Sequence, residues 1–399
     1  MPTETPEIRR IFGPLALRLG PRAIPARGPS RVPADTELLA FALRADGLRS
    51  SDALRCIDGA RIEPFVLDGP PSEEQVLYLV SRRALVRAKE AGEEAAALLL
   101  DVTSALDVPA PPPRLMGVVN VTPDSFSDGG RYLDPAAAVR HGLALRHAGA
   151  GWLDVGGEST RPGSREVSIR DEIARVIPVV SELCAAGATV SIDTRKAEVA
   201  EAALDAGASV VNDVSAGKHD PGMLPLVAER EVPYIAMHMR GDPATMQIAP
   251  RYTDPVAEVC EELRERAATC LKVGIAPSKI LLDPGIGFGK SVLHNLALLR
   301  RLVELRSLGL PLCLGVSRKS FISHVTGAAE HEDWRRERSA DQPDDRVGGT
   351  AAALAFCVLG GAAWLRVHDV AIMSEAAAVA RAISHPQAPS KQLPSTEQP

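Results

Sequence analysis

A short apolar run that ends in a polar residue, followed by an alanine-rich stretch with helical spacing, recurs from Leu115 onward, and this recurrence limits what the chain can fold into. The runs are MGVVNV (116–121), WLDVGG (152–157), TVSIDT (189–194), SVVNDV (209–214), PYIAMH (233–238), KILLDPG (279–285), PLCLGVS (311–317) and AWLRVHD (363–369). Strands alternating with helices imply a parallel sheet, because the helix returns the chain to the end where the next strand starts. Eight such units within residues 114–383 suit an α/β fold of the (β/α)8 TIM barrel type, at about its usual size. A doubly wound sheet is the rival. It would usually need fewer strands and often a glycine-rich first turn, and no GxGxxG is present.

The polar residues that close these runs are Asn120, Glu158, Asp193, Asn212 with Asp213, His238, Asp283, Ser317, and Arg366 with His368. In a barrel they occupy the C-terminal strand ends, where active sites are built. Any one of them could simply cap the next helix. Eight in succession, carboxylates and basic groups included, read as a barrel enzyme.

The rest of the chain is less regular. Residues 1–108 form a small N-terminal accessory region of unknown role, rich early in arginine and proline, with a helical stretch expected over Glu73–Leu100. Residues 109–113, Pro-Ala-Pro-Pro-Pro, read as a stiff linker. A charged insertion at 328–346 reads as an exposed, solvated loop, and residues 384–399 as a disordered tail. The net charge of -6, with both signs interspersed, excludes a nucleic-acid footprint. Six scattered cysteines form no CxxC pair, so reduced, mostly buried thiols are expected. No secretory signal is legible, and the longest apolar stretch (Ala351–Leu365) is broken by Gly360–Gly361 and too short for a span, so a cytoplasmic location is expected.

The strand ends also carry longer motifs. Met116-Gly117-Val118-Val119-Asn120-Val121-Thr122-Pro123-Asp124-Ser125-Phe126-Ser127-Asp128-Gly129-Gly130 resembles the first signature of the dihydropteroate synthase family. Asp154-Val155-Gly156-Gly157-Glu158-Ser159-Thr160-Arg161-Pro162-Gly163 resembles the second. Ile192-Asp193-Thr194, Asn212-Asp213, Met237-His238-Met239, Leu282 to Lys290, Ser317-Arg318-Lys319-Ser320 and Arg366-Val367-His368-Asp369 follow in family order, one per strand end. The N-terminal region and the charged insertion lie outside the resemblance.

The resemblance implies a transferase of folate biosynthesis. It would displace pyrophosphate from the methylene of 6-hydroxymethyl-7,8-dihydropterin pyrophosphate with the aryl amine of p-aminobenzoate, giving 7,8-dihydropteroate. It implies that Asp193, Asn212, Asp283 and Lys319 bind the pterin, Asp283 accepting paired N–H groups and Asn212 offering both donor and acceptor. Asp193 would stand by the reactive methylene and stabilise developing positive charge. Thr160, Arg161, Arg366 and His368 would hold pyrophosphate, and Asp193, Lys319, Arg366 and His368 form the implied catalytic set. Phe126, Pro162, Phe288 and Ser320 would line the p-aminobenzoate site, where sulfonamides compete. The implied cofactor is Mg2+, contacted by Asn120 and Asp128 and otherwise by pyrophosphate and water. A homodimer is implied as well. The competing readings are a pterin-dependent methyltransferase, which needs no pyrophosphate site, and a pterin-binding paralogue without catalysis.

Overall fold

The structure is a computed structural model; described here are residues 112–122, 135–159, 166–242, 245–306, 308–327 and 346–384, with Glu90 and the strands within 16–81. The chain divides into two compact units, residues 1–109 with 303–309, and residues 110–302 with 310–399. In the first, β1 (Ala16–Leu19), β2 (Leu38–Arg44), β3 (Arg61–Ile62) and β4 (Gln75–Ser81) form an antiparallel sheet in the order β1-β2-β4-β3. Here the sequence reading is corrected: the helix expected over Glu73–Leu100 opens instead as a strand, paired with β2 from Leu38↔Ser81 to Arg44↔Gln75. Its residues, Val-Leu-Tyr-Leu-Val, are apolar on both faces and rich in β-branched and aromatic types, which suit a pleated surface better than a helix. The charged insertion and the tail beyond Ser384 lie outside the described residues.

The second unit begins at each of the expected runs. Its strands are β5 (Arg114–Asn120), β6 (Trp152–Gly156), β7 (Val190–Asp193), β8 (Val210–Asp213), β9 (Tyr234–Met237), β10 (Ile280–Asp283), β11 (Cys313–Gly315) and β12 (Trp364–Val367). They pair in parallel in the order β10-β9-β8-β7-β6-β5-β12-β11. A parallel bridge, Leu282↔Leu312, joins the two ends and closes the barrel. Being covered on both faces, the strands are largely apolar, and β8, β9 and β10 are buried at every position.

Helices connect the strands. They are α1 (Pro135–His147), α2 (Ile169–Ala185), α3 (Ala197–Asp205), α4 (Met223–Arg230), α5 (Pro255–Lys272), α6 (Val292–Arg300), α7 (Leu302–Arg306), α8 (Ser320–Gly327), α9 (Val347–Leu359) and α10 (Val370–Ser384). Local chemistry starts several of them. Ser168 accepts from the Asp171 amide at α2, Asp254 accepts from the Val256 and Ala257 amides at α5, and Ser291 and His294 form a reciprocal box at α6. No helix among the described residues is long and apolar enough to cross a membrane.

The barrel interior explains where the site lies. Met116, Val210, Ile235, Leu281, Cys313, Ala363 and Trp364 form a buried apolar cluster, with Trp152 stacked on Trp364 at 3.6 Å between ring centroids. Side chains on a strand return to the same face every second residue. Two positions beyond Trp152, Val210, Leu281 and Trp364 come Asp154, Asn212, Asp283 and Arg366. The apolar floor and the polar layer above it are thus consecutive turns of one period-two pattern.

Candidate active site

One carboxylate organises the centre of this polar layer. Asp154, fully buried, accepts from Arg366 Nε at 2.6 Å and from Asn212 Nδ2 at 3.0 Å, both on its Oδ2. Its Oδ1 is buried without a partner. The other arm of the guanidinium donates from Nη2 to Asp193 Oδ2 at 2.7 Å. Burial alone would pull the Arg366 guanidinium down, but Asp154 and Asp193 outweigh it and raise its proton affinity. Burial pushes Asp193 up to about 7, Arg366 opposing and Asp154 adding to the rise. Asn212 spends one of its two amide hydrogens on Asp154, which leaves its carbonyl oxygen and the other N–H for a ligand.

Across the barrel mouth, Asp283 ends β10 and its Oδ1 accepts the Gly285 amide at 2.7 Å. Burial drives this carboxyl up to about 6, against the pull of that N–H and of Lys319. The loop that follows passes very close to its neighbour: a Cβ at Gly285 would lie 1.9 Å from the His238 carbonyl oxygen, and one at Gly289 2.4 Å from that of Arg240. Both have positive φ, 66° and 61°, so glycine is required twice over. Between them Phe288 offers its ring to the Lys319 ammonium, 4.1 Å from the centroid.

Lys319 itself follows a strained residue. Arg318 is left-handed, with φ 57°. It is held there by its amide on Thr350 Oγ1, by the Arg346 guanidinium donating to its carbonyl, and by two bonds from its own guanidinium to Asp369, at 3.0 and 2.6 Å. Ser320 then opens α8 as an exposed hydroxyl. Ser317 Oγ lies 3.0 Å from His368 Nδ1 and accepts the His368 amide at 3.2 Å. Burial, with Arg366 close by, pulls His368 down to about 3, so the imidazole is neutral in this arrangement. Asn120 ends β5, half-buried, opposite Gly156 in register. Phe126, Asp128, Thr160, Arg161 and Pro162 lie outside the described residues.

Glu158 belongs to a different cluster. Lys196 Nζ donates to Glu158 at 2.6 Å, to Glu172 at 2.7 Å and to the Val167 carbonyl at 2.6 Å, while Thr194 Oγ1 donates to Glu172 at 2.8 Å. Arg195 adds a bond to Glu158 at 3.1 Å. The bland account of Asp193, a salt bridge to Arg195 or Lys196, therefore fails, since both cations are taken by glutamates. Sequence reasoning missed Asp154 as the hub and missed the buried pair Lys290–His238. Their signals were an aspartate set inside an apolar strand and a lysine following a run of glycines.

The apolar floor and the buried polar layer of Asp154, Asp193, Asn212, Asp283 and Arg366 above it are those of a barrel enzyme. The family model described as pterin binding enzyme matches residues 116–368. A dihydropteroate synthase of Mycobacterium leprae is 47% identical over 275 residues, covering 69% of this chain and 94% of the relative. Two solved structures of the Xanthomonas albilineans dihydropteroate synthase match over 68% of this chain and 93% of theirs: one with 4-aminobenzoic acid (47% identity, TM-score 0.61), one with 7,8-dihydropteroate (44%, TM-score 0.59). The chain belongs to the dihydropteroate synthase family.

Proposed function

We infer that this barrel condenses 6-hydroxymethyl-7,8-dihydropterin pyrophosphate with p-aminobenzoate, releasing 7,8-dihydropteroate and pyrophosphate in folate biosynthesis. The observation that carries the reading is the convergence of Asp283, Asn212, Asp193, Lys319 and Arg366, from five separate strand ends, on one mouth. The methylene carbon loses its bond to the pyrophosphate oxygen and gains one to the amine nitrogen, which gives up a proton. Asp283 accepts the paired N–H edge of the pterin, and the free carbonyl of Asn212 takes a further ring N–H. Ionised Asp193, beside the methylene, stabilises the positive charge that develops as the bond breaks. Pyrophosphate draws one arm of Arg366 away from Asp193, so leaving-group binding and release of the carboxylate are coupled. His368, Thr160 and Arg161 complete the anion site. Phe126, Pro162, Phe288 and Ser320 shape the aryl-amine site, where a sulfonamide, carrying the same aniline ring, would compete.

Mg2+ suits this chemistry as a hard ion that offsets charge on the leaving pyrophosphate. Asn120 offers it an oxygen at the end of β5, and Asp128 is the second contact proposed. The rest of its coordination would come from pyrophosphate and water. A homodimer is supported by exposed apolar side chains on α9 and α10, namely Phe356, Leu359, Ile372, Val379 and Ile383.

The test is direct. Purified protein given pterin pyrophosphate, p-aminobenzoate and Mg2+ should release pyrophosphate in proportion to dihydropteroate formed. Tight pterin binding without release would favour a non-catalytic paralogue, and methyl transfer from methyltetrahydrofolate would favour the methyltransferase.

A further inference from the structure

Beside the glycine loop lies a buried lysine–histidine pair that the reaction does not use. Lys290 is 3% exposed, yet its ammonium has three acceptors: His238 Nδ1 at 2.8 Å, the Phe288 carbonyl at 2.9 Å and the His238 carbonyl at 3.4 Å. His238 Nε2 stands 3.2 Å from Glu262, which is also bonded by Arg240. The same loop is tied at its other residues. Asn295 Oδ1 accepts the Gly287 amide at 2.8 Å, and the Tyr252 hydroxyl donates to the Gly289 carbonyl at 3.1 Å.

We propose that Lys290 and His238 form a buried post that positions the Phe288 ring and, through it, the Lys319 ammonium for pterin binding. The opposite face of the loop carries the consequence. Lys319 Cδ lies 3.2 Å from where a Cβ on Gly287 would sit, and Lys319 Nζ rests 4.1 Å from the Phe288 ring centroid. A cation buried here is costly, and an apolar side chain of similar length would fill the space with less penalty if packing were the only need. What an apolar side chain lacks is three donors aimed at two carbonyls and a ring nitrogen, the groups that set where Phe288 points. Lys290 is thus a positioning residue, and its role rests on the pterin reading given above.

Charge supports the geometry. Burial pulls Lys290 down to about 7, with Asp283 and Glu262 opposing and Arg240 and Lys319 pressing it further. Burial also holds His238 down to about 4, Lys290 adding to the fall, so the imidazole stays neutral. Its Nδ1 then accepts from Lys290, while its Nε2 lies 3.2 Å from Glu262 without an aligned hydrogen bond. The post is complete while Lys290 is protonated and weakens as pH rises through about 7. Asp283, raised to about 6, gives the opposite limb, because its ionised form binds the pterin edge.

The experiment uses the full chain, with pterin pyrophosphate affinity by calorimetry and steady-state kinetics on both substrates. Lys290→Met should weaken pterin pyrophosphate binding about tenfold, as for other groups that orient a working residue, and, because Phe288 also lines the aryl-amine site, should raise the KM for p-aminobenzoate as well. Lys290→Arg should restore most of the affinity and move the falling limb of its pH profile upward. Combined with Phe288→Leu, Lys290→Met should add less than its separate effect, because both act through the same ring. Full additivity or an unmoved falling limb would refute the post. Should Lys290→Met not fold, the unaltered enzyme still decides: no loss of pterin affinity between about pH 6.5 and 8 also refutes it. If the unaltered enzyme does not bind pterin, the functional reading falls first; if it binds and Lys290→Met binds equally well, only the post falls.

Discussion

Two ion clusters sit at neighbouring strand ends, Glu158 and Glu172 around Lys196 with Arg195 added, and Asp154 and Asp193 around Arg366, and they differ in whether the buried carboxylate oxygens are paired. Lys196 spends its ammonium on Glu158, Glu172 and a carbonyl, and Glu172 has Thr194 on its second oxygen. Arg366 spans Asp154 and Asp193, yet Asp154 keeps a buried oxygen with no partner. A satisfied buried network holds structure. One left short of a hydrogen bond holds free energy in reserve for a ligand that supplies it. The comparison separates scaffold from site where composition alone does not.

The largest effect expected is at Asp283, the acceptor across the mouth. Asp283→Ala should weaken pterin affinity by about 100-fold or more, because two parallel charge-assisted bonds are lost together. Unchanged affinity by calorimetry would remove Asp283 from the site. Next, Lys196→Met leaves Glu172 buried and unpaired, which should cost about 3–5 kcal/mol of stability. Chemical denaturation checks it, and a stability loss with pterin affinity preserved is the signature of scaffold.

Asp193 sharpens the contrast through pH. Its carboxyl rises from the usual acidic range to about 7, burial being the main cause. The unfolded chain releases that proton first, so between about pH 4 and 7 the native form holds more protons. The contribution of Asp193 to the stability of the ligand-free enzyme should therefore decline as pH rises through that window, against the rise contributed there by His238 and His368, which burial holds neutral. Asp193→Asn should flatten that decline in thermal melts, and should also lower turnover by removing the charge beside the methylene. A decline of the same steepness in the variant would place the titration elsewhere. The smallest effect is expected at the exposed pair Arg264–Glu261 on α5, where Arg264→Ala should change stability by about 1 kcal/mol or less. A larger loss would mean that exposed pairs on this barrel behave like buried ones.

Much of the barrel was legible because parallel strands buried on both faces read as unbroken apolar runs, and all eight runs lie on observed strands. The polar strand ends were legible for the same reason, since a carboxylate closing an apolar run has little purpose in a core. Pairing was not legible. That Asp154 would meet both Arg366 and Asn212 depends on strand register, which residues 58 and 212 positions apart do not encode locally. Glu158 and Asp193 look alike as strand-end carboxylates, and only their partners tell scaffold from site. At Gln75–Ser81 the leucines and valines satisfied a helical reading, but pairing with β2 decided the outcome.

The measurement that bears most directly on the account is the structure of the enzyme with dihydropterin pyrophosphate and p-aminobenzoate bound. The expected result is a pterin whose amino edge meets Asp283 and whose ring meets Asn212 and Lys319, with one arm of Arg366 turned from Asp193 to phosphate. A pterin bound elsewhere, with the Arg366–Asp154–Asp193 cluster unchanged, would contradict it.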